Sequence, residues 1–299
     1  MKQFTTTFFA AFLAVAALGQ GKTEKSLLWK ITGPGLEKPS YLFGTIHVIC
    51  KEDAVISPTL LKSIRDCDEV YFEVDMDNMI EMLMALGKMK MKGDTTLKDL
   101  LEKEDYKKVR EYFASKKSIL PFSVLETYKP ILAASMLEAN NMGCESTSME
   151  QLIMMEANIY EKEIKGLESL TYQASILDSI PYKLQAEQLV EHIDRINKGE
   201  GSPDEPNEMF DAYKAQDLDR LEKLLMSSDA GIASFADLML YNRNRNWVEK
   251  LKGILGKKSV LVAVGAGHLP GENGVIGLLR KAGYTLTPVV NMMRPPKEI

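Results

Sequence analysis

Residues Ser259 to His268 read SVLVAVGAGH, and this stretch decides the fold. Its first six residues are valine-rich and uncharged, which marks a strand buried on both faces, as in the core of a parallel sheet. The glycines that follow end the strand, and His268 stands just past its carboxyl end. A helix is expected from about Asn273, and a further strand over Tyr284 to Val289. The same order occurs near the start of the chain. There, strand Ser40-Tyr41-Leu42-Phe43 leads into Gly44-Thr45-Ile46-His47, then a helix from Ser57 and a strand from Glu69 to Val74. Both segments are β–GxxH–α–β units. In open α/β sheets ligands gather beyond the carboxyl ends of strands, so the two histidines are expected to face one crevice.

Outward from these units the pattern changes. Ser26 to Ile31 reads as one more strand, broken by Gly33-Pro34-Gly35. Ser57-Pro58 supplies an N-cap and a proline at the first helical position. From about Asp77 to Gly253 the periodicity is mostly that of amphipathic helix, with weak strand character at Lys165 to Glu168. Breaks fall at Gly93-Asp94, Pro121, Asn140 to Gly143 and Pro181, and the polar run Asn197 to Asn207 reads as a loop. The expected fold is therefore α/β in the broad sense (α+β). Two β–GxxH–α–β units form a shared sheet core and cleft, with a long, mostly helical insertion between them.

Composition bounds the rest. The chain has 299 residues, 45% of them hydrophobic, which suffices for one sizeable core or two modest ones and excludes a disordered chain. A net charge of −5 exerts no global pull towards nucleic acid or an anionic membrane. The apolar run Phe8 to Leu18 is too short to span a bilayer and suits the core of a secretory signal. Ala17 and Gly19 fit a cleavage site, so residues 1–19 are read as a signal peptide and 20–299 as a single exported, periplasmic or secreted, domain. No other apolar run is long enough to cross a membrane. The cysteines, Cys50, Cys67 and Cys144, are too few for a disulfide scaffold and include no CxxC pair. One disulfide would leave an odd thiol, and the sequence does not choose the pair.

Histidine is scarce: only His47, His192 and His268 occur. Two histidines and a carboxylate are the minimum for a catalytic divalent metal with an open position. Glu73 is the best carboxylate, because it interrupts the apolar strand VYFEV near its carboxyl end, where burial is costly unless the charge is paired or bound to metal. Asp75 would share its face if the strand continued. Against this stands the plainer reading, in which a histidine after a glycine turn only hydrogen-bonds a loop. His192, in VEHIDRIN, reads as a solvated helix residue.

Other motifs fall away. VAVGAGHLPG lacks GxGxxG spacing and the acidic residue that dinucleotide binding needs, and the chain has neither a P-loop nor a GxSxG elbow. Cys50 lies three residues from His47, a weak basis for a cysteine nucleophile. The methionines between Met76 and Met91 are spaced as a helix face, which suits a groove or core lining better than copper(I) binding. Arg243-Asn244-Arg245-Asn246-Trp247 reads as a helix face able to bring a guanidinium to the crevice, where it would stabilise an oxyanion or bind a carboxylate.

With these residues in view, the chain resembles the TraB/GumN group, which includes the animal Tiki metalloproteases. The resemblance runs through LLWKITGPGLEKPSYLFGTIH (Leu27 to His47), VYFEVD (Val70 to Asp75), GLESLTYQ (Gly166 to Gln173), RNRNW and VAVGAGHLPGENGVIGLLRKAGY. It implies a fold similar to the erythromycin-esterase/ChaN-like group. For the Tiki branch it implies a divalent-metal peptidase that uses manganese or cobalt, built on two GxxH motifs and a glutamate. These map onto His47, His268 and Glu73; Arg243 and Asn244 fall on the family's Arg-Asn pair, and Glu168 on its middle glutamate.

The expectation is thus a secreted divalent-metal-dependent hydrolase, a peptidase acting on peptide or protein through metal-activated water, with manganese, cobalt or zinc as cofactor. His47, Glu73 and His268 are the candidate ligands and catalytic residues, with Arg243 beside the scissile carbonyl and Asn244 and Glu168 in support. The alternatives are a metal-independent hydrolase with His47 as general base and Glu73 orienting it, and a non-catalytic module binding a peptide, haem or partner protein.

Overall fold

The computed structural model describes residues 25–115, 121–200, 207–227 and 233–292. The expected signal peptide, 1–19, lies outside them, as do residues 201–206 of the polar loop.

In chain order the elements are β1 (Leu28–Thr32), β2 (Ser40–Thr45), β3 (Ile49–Cys50), α1 (Pro58–Asp66), β4 (Glu69–Val74) and α2 (Met79–Lys88). Then come α3 (Leu97–Leu100), α4 (Lys103–Ser115), α5 (Phe122–Leu125), α6 (Pro130–Asn141), β5 (Ser146–Thr147), α7 (Met149–Ile159) and β6 (Glu163–Glu168). The chain continues through α8 (Leu170–Ile176), α9 (Tyr182–Asn197), α10 (Glu208–Lys214), α11 (Leu218–Ser227), α12 (Asn242–Leu255), β7 (Val260–Gly265), α13 (Val275–Lys281) and β8 (Thr285–Pro288). The mixed α and β class expected from the sequence is what forms.

Six strands make the main sheet in the order β6-β4-β7-β2-β1-β8. Contacts β6–β4, β4–β7 and β7–β2 are parallel, whereas β1 runs antiparallel to both β2 and β8. The first five residues of β7 are fully buried, as its uncharged sequence demands. The two units interleave: β7, from the second, lies between β2 and β4 of the first. Thr45 pairs with Gly265, and Phe72 with Ala263, so β2, β7 and β4 end side by side at one carboxyl edge. Gly166 lets β6 close on β4, because a Cβ there would sit 2.6 Å from the Asp75 nitrogen.

Burial of all six residues of β4 includes two glutamates. At the amino end Glu69 accepts from Lys165 Nζ at 2.9 Å and Tyr71 Oη at 3.0 Å, and also pairs with Lys258. At the carboxyl end Glu73 has different partners, described below. Helix α1 begins as the sequence reads: Ser57 Oγ accepts from Leu60 N at 3.0 Å with Pro58 next in line, and Leu60 and Ile64 enter the core.

The main core is built on this sheet, and a smaller one lies in the helical insertion, around Leu97, Val109, Phe113, Leu125, Leu189 and Ile193. Between the two regions Lys129, fully buried, meets Asp178 Oδ1 at 2.7 Å and the Ala174 carbonyl at 2.6 Å. The small ladder β3–β5 is crossed by a Cys50–Cys144 disulfide. Cys67 remains a buried thiol, and burial pushes its pKa up to about 12. Among the described residues no helix is long and apolar enough to cross a membrane.

Candidate active site

The carboxyl edge of β2, β7 and β4 opens into a cavity of about 800 Å³, and His47, Glu73, Arg243 and His268 all line it. His47 stands two residues past β2. Its Nδ1 lies 2.7 Å from Glu150 Oε1, and 68% of its side chain is accessible. Glu150 comes from the first turn of α7, whose N-cap is Ser148. Its Oε1 also accepts from Thr45 Oγ1 at 2.6 Å, while Oε2 is buried and has no hydrogen-bond partner among the described residues. The hydrogen bond to Glu150 raises the His47 pKa to about 9, more than burial lowers it, so the ring is an imidazolium at neutral pH. Glu150 is itself held below the ordinary carboxylate range: burial opposes its charge, but the bond from His47 outweighs it.

His268 is in the opposite state. It follows β7 in a single 3₁₀ turn and is buried. Asn244 Nδ2 donates to the carbonyls of Asn273 at 2.9 Å and His268 at 3.4 Å, so Asn244 Oδ1 faces the ring and accepts from His268 Nδ1 at 2.6 Å. That fixes the tautomer. Nε2 keeps its lone pair and accepts from Arg243 Nη1 at 3.2 Å. Burial lowers the His268 pKa to about 4, leaving a neutral imidazole. Trp247 packs on the ring at 4.5 Å between centroids.

Glu73 sits between the histidines. Its Oε1 accepts from Gly265 N at 2.9 Å, and its Oε2 from Arg243 Nη2 at 2.6 Å and Gln173 Nε2 at 3.0 Å. Burial works against this carboxylate, yet the charges of His268, Arg243 and His47 and the Gly265 N–H hold its pKa at about 2.

Arg243 and Trp247 are four residues apart on α12 and share a face. A π-helical turn, Asp237–Tyr241, precedes this helix, a feature frequent at functional sites. Besides Glu73 and His268, the guanidinium donates to Glu168 Oε1 from Nε (2.9 Å) and Nη2 (2.6 Å) and to the Met239 carbonyl from Nη1 (2.8 Å). Trp247 Nε1 donates to Glu168 Oε2 at 2.9 Å. Burial pushes the Glu168 pKa up despite these partners.

The structure thus gathers all six residues singled out in the sequence. Asp75 is not among them: β4 ends at Val74, and the Asp75 carboxylate accepts from Asp77 N at 3.1 Å instead. His192 is half-buried on α9 and does not line the cavity. Glu150 and Gln173 were missed. Each sits in the first turns of a helix, where an acid or amide is ordinary, although Gln173 closes the GLESLTYQ motif. Glu150→Gln should bring the His47 pKa down from about 9 towards its ordinary 6.5, as read by NMR titration of the ring. A ring still titrating near 9 would show that Glu150 does not set its charge.

Donor chemistry here suits a divalent cation. Two imidazoles have their far nitrogens orientated by a carboxylate and an amide, the outer-shell arrangement usual for metal-bound histidine. All three candidate ligands close over Gly265, where a Cβ would meet Glu73 Oε1 at 3.2 Å and His47 Nε2 and His268 Cδ2 at 3.7 Å. The groups are not drawn into a closed centre: among the described residues no three His, Cys, Asp or Glu side chains form a ready-made metal site. Arg243 holds the His268 lone pair that a metal would use.

The fold is thus a mixed, mostly parallel sheet with paired histidines and a buried glutamate at one carboxyl edge. A sequence profile of the TraB/PrgY/gumN family matches residues 27–288, and the chain belongs to that family. It is similar to Metalloprotease TIKI2 of Xenopus tropicalis, with 23% identity over 310 residues, covering 87% of this chain and 59% of that one. Metalloprotease TIKI2 of Danio rerio is 21% identical over 330 residues, covering 93% and 62%, and Metalloprotease TIKI1 of Homo sapiens 21% over 310 residues, covering 87% and 61%. The chain spans about three-fifths of the length of these relatives. No solved structure matches it at a significant level.

Proposed function

We propose that this chain is an exported, divalent-metal-dependent peptidase, with residues 20–299 as one domain after removal of the leader. The observation that carries the reading is the convergence of His47, Glu73 and His268 over the bare Cα of Gly265. The names of the relatives point the same way. The Cys50–Cys144 disulfide supports export, since such bonds persist in oxidising compartments.

In this reading His47, Glu73 and His268 hold manganese, cobalt or zinc. Bound there, the ion supplies a Lewis acid for the scissile carbonyl and lowers the pKa of water. The protein's part is charge and orientation. Glu73, with a pKa of about 2, stays ionised, and His268, at about 4, stays neutral and offers Nε2 once Arg243 Nη1 lets go. To hold an ion, His47 would first have to give up its Nε2 proton, so affinity for the ion would rise with pH towards 9. Arg243 gives Nε and Nη2 to Glu168 and Glu73 and one Nη1 hydrogen to the Met239 carbonyl, so it holds Glu73 in place and balances its charge. In the metal-free alternative His47 would have to give up the proton favoured by its bond to Glu150 before it could act as general base.

Elemental analysis tests the assignment: about one divalent ion per chain is expected, lost in His268→Ala. Peptide cleavage should appear with Mn²⁺ or Co²⁺, stop with chelator, and fall to background in His47→Ala. Cleavage retained in His47→Ala would sink the mechanism.

A further inference from the structure

We infer that the cavity beside the candidate metal site binds an apolar run of residues flanking the scissile bond, so the substrate is a hydrophobic polypeptide segment. This rests on the peptidase reading and adds the substrate class to it. The cavity's walls away from the sheet are apolar, among them Met82 of α2, Met89 just past its end, Leu132 of α6, Leu225 of α11 and Met239. Its volume of about 800 Å³ lies high in the range of roughly 300–1,000 Å³ typical of small-molecule pockets, which is more than one side chain fills.

Among the described lining residues, acidic and basic side chains occur only at the candidate site itself, as His47, Glu73, Arg243 and His268, so the far walls offer apolar contact and no charge partner to the residues beside the scissile bond. Flexible methionine and leucine walls adapt to several apolar shapes, so a general apolar preference is expected rather than a slot for one residue.

Equilibrium binding to the full-length, metal-free protein tests the cavity without catalysis. The probe is a capped hexapeptide with a Leu-Met-Phe-Leu centre, compared with one bearing Ser-Asn-Gln-Ser. The apolar peptide should bind at least tenfold tighter. Met82→Glu and Leu86→Glu, at lining positions 44% and 45% exposed and so tolerant of a charge, should each weaken it at least tenfold. Leu83→Glu, at a residue 68% exposed and outside the cavity, should not. Equal binding of the two peptides, or unchanged binding in both lining variants, overturns the inference. So does binding of an octanoylated Gly-Ser peptide in place of the apolar one, which would make the occupant an acyl chain. Metal-loaded turnover separates the two levels. Apolar binding with no cleavage keeps the cavity assignment and fails the peptidase reading. Cleavage indifferent to flanking residues does the reverse.

Discussion

Arg243→Ala is expected to lower the unfolding free energy by about 3–5 kcal/mol, the usual cost of removing one partner from a buried ionic cluster. The guanidinium is 4% exposed and bonds Glu73 and Glu168, both also shielded from solvent, so its loss leaves two carboxylates facing each other with no cation between them. Arg243→Lys should recover only part of this, because an ammonium cannot reproduce the fork that spans both acids. Urea unfolding provides the measurement, and a loss below about 1 kcal/mol would show that water replaces the guanidinium. The acid limb should shift as well. Glu73 titrates near 2 when folded, below its unfolded value of about 4.3, so its contribution stands above the unfolded value and disappears as pH falls through 2. Without Arg243 the folded pKa rises, and the loss begins at higher pH. His268, with a folded value of about 4, adds a fall in stability as pH drops from about 6.5 to 4, since only the unfolded chain takes up its proton there.

Removing the disulfide should have the second large effect. Cys50 and Cys144 lie 94 residues apart, and Cys50→Ala with Cys144→Ala is expected to cost about 2–5 kcal/mol. A consequence at the site should accompany it. The bridge ties the segment just after His47 to the strand just before α7, which carries Glu150. The double variant should therefore lose activity at temperatures where it is still folded, and the His47 titration should broaden and move below 9. Unfolding curves and ring NMR on one sample separate the two effects. Loss of stability with an intact His47 titration would confine the bridge to a structural role. Cys67 should stay unreactive towards thiol reagents in either form, being buried with a pKa of about 12.

Much of this site was legible because its signals are local. A valine-rich strand, a glycine turn and a histidine lie within ten residues, and so does a glutamate in an apolar strand. Two β–GxxH units and one odd glutamate were enough to nominate His47, Glu73 and His268. The long-range pieces were not legible in the same way. That β7 enters between β2 and β4 depends on packing of whole strands, which periodicity does not record. Glu150 resembles any acid in a first helical turn, and only the fold brings it 2.7 Å from His47. Arg243 was visible as a cation near a tryptophan, but its engagement with Glu73 and Glu168 depends on the meeting of α12, β4 and β6. The disulfide pair was left open for the same reason.

Strand β7 has a further consequence, one of timing. It supplies the central rail of the sheet yet is among the last strands made: Tyr41 pairs with Leu261, and Glu69 with Val260. Until it is synthesised, the edges of β2 and β4 that it will cover stay unpaired, and about 185 residues, holding most of the helices together with β5 and β6, separate β4 from it. Pairings that distant in sequence are slow to close, and unpaired edges in the meantime invite association with other chains. The same insertion brings Gly265 and His268 to Glu73. A chain stopped short of β7 therefore has neither a finished sheet nor the meeting of Gly265 and His268 with Glu73.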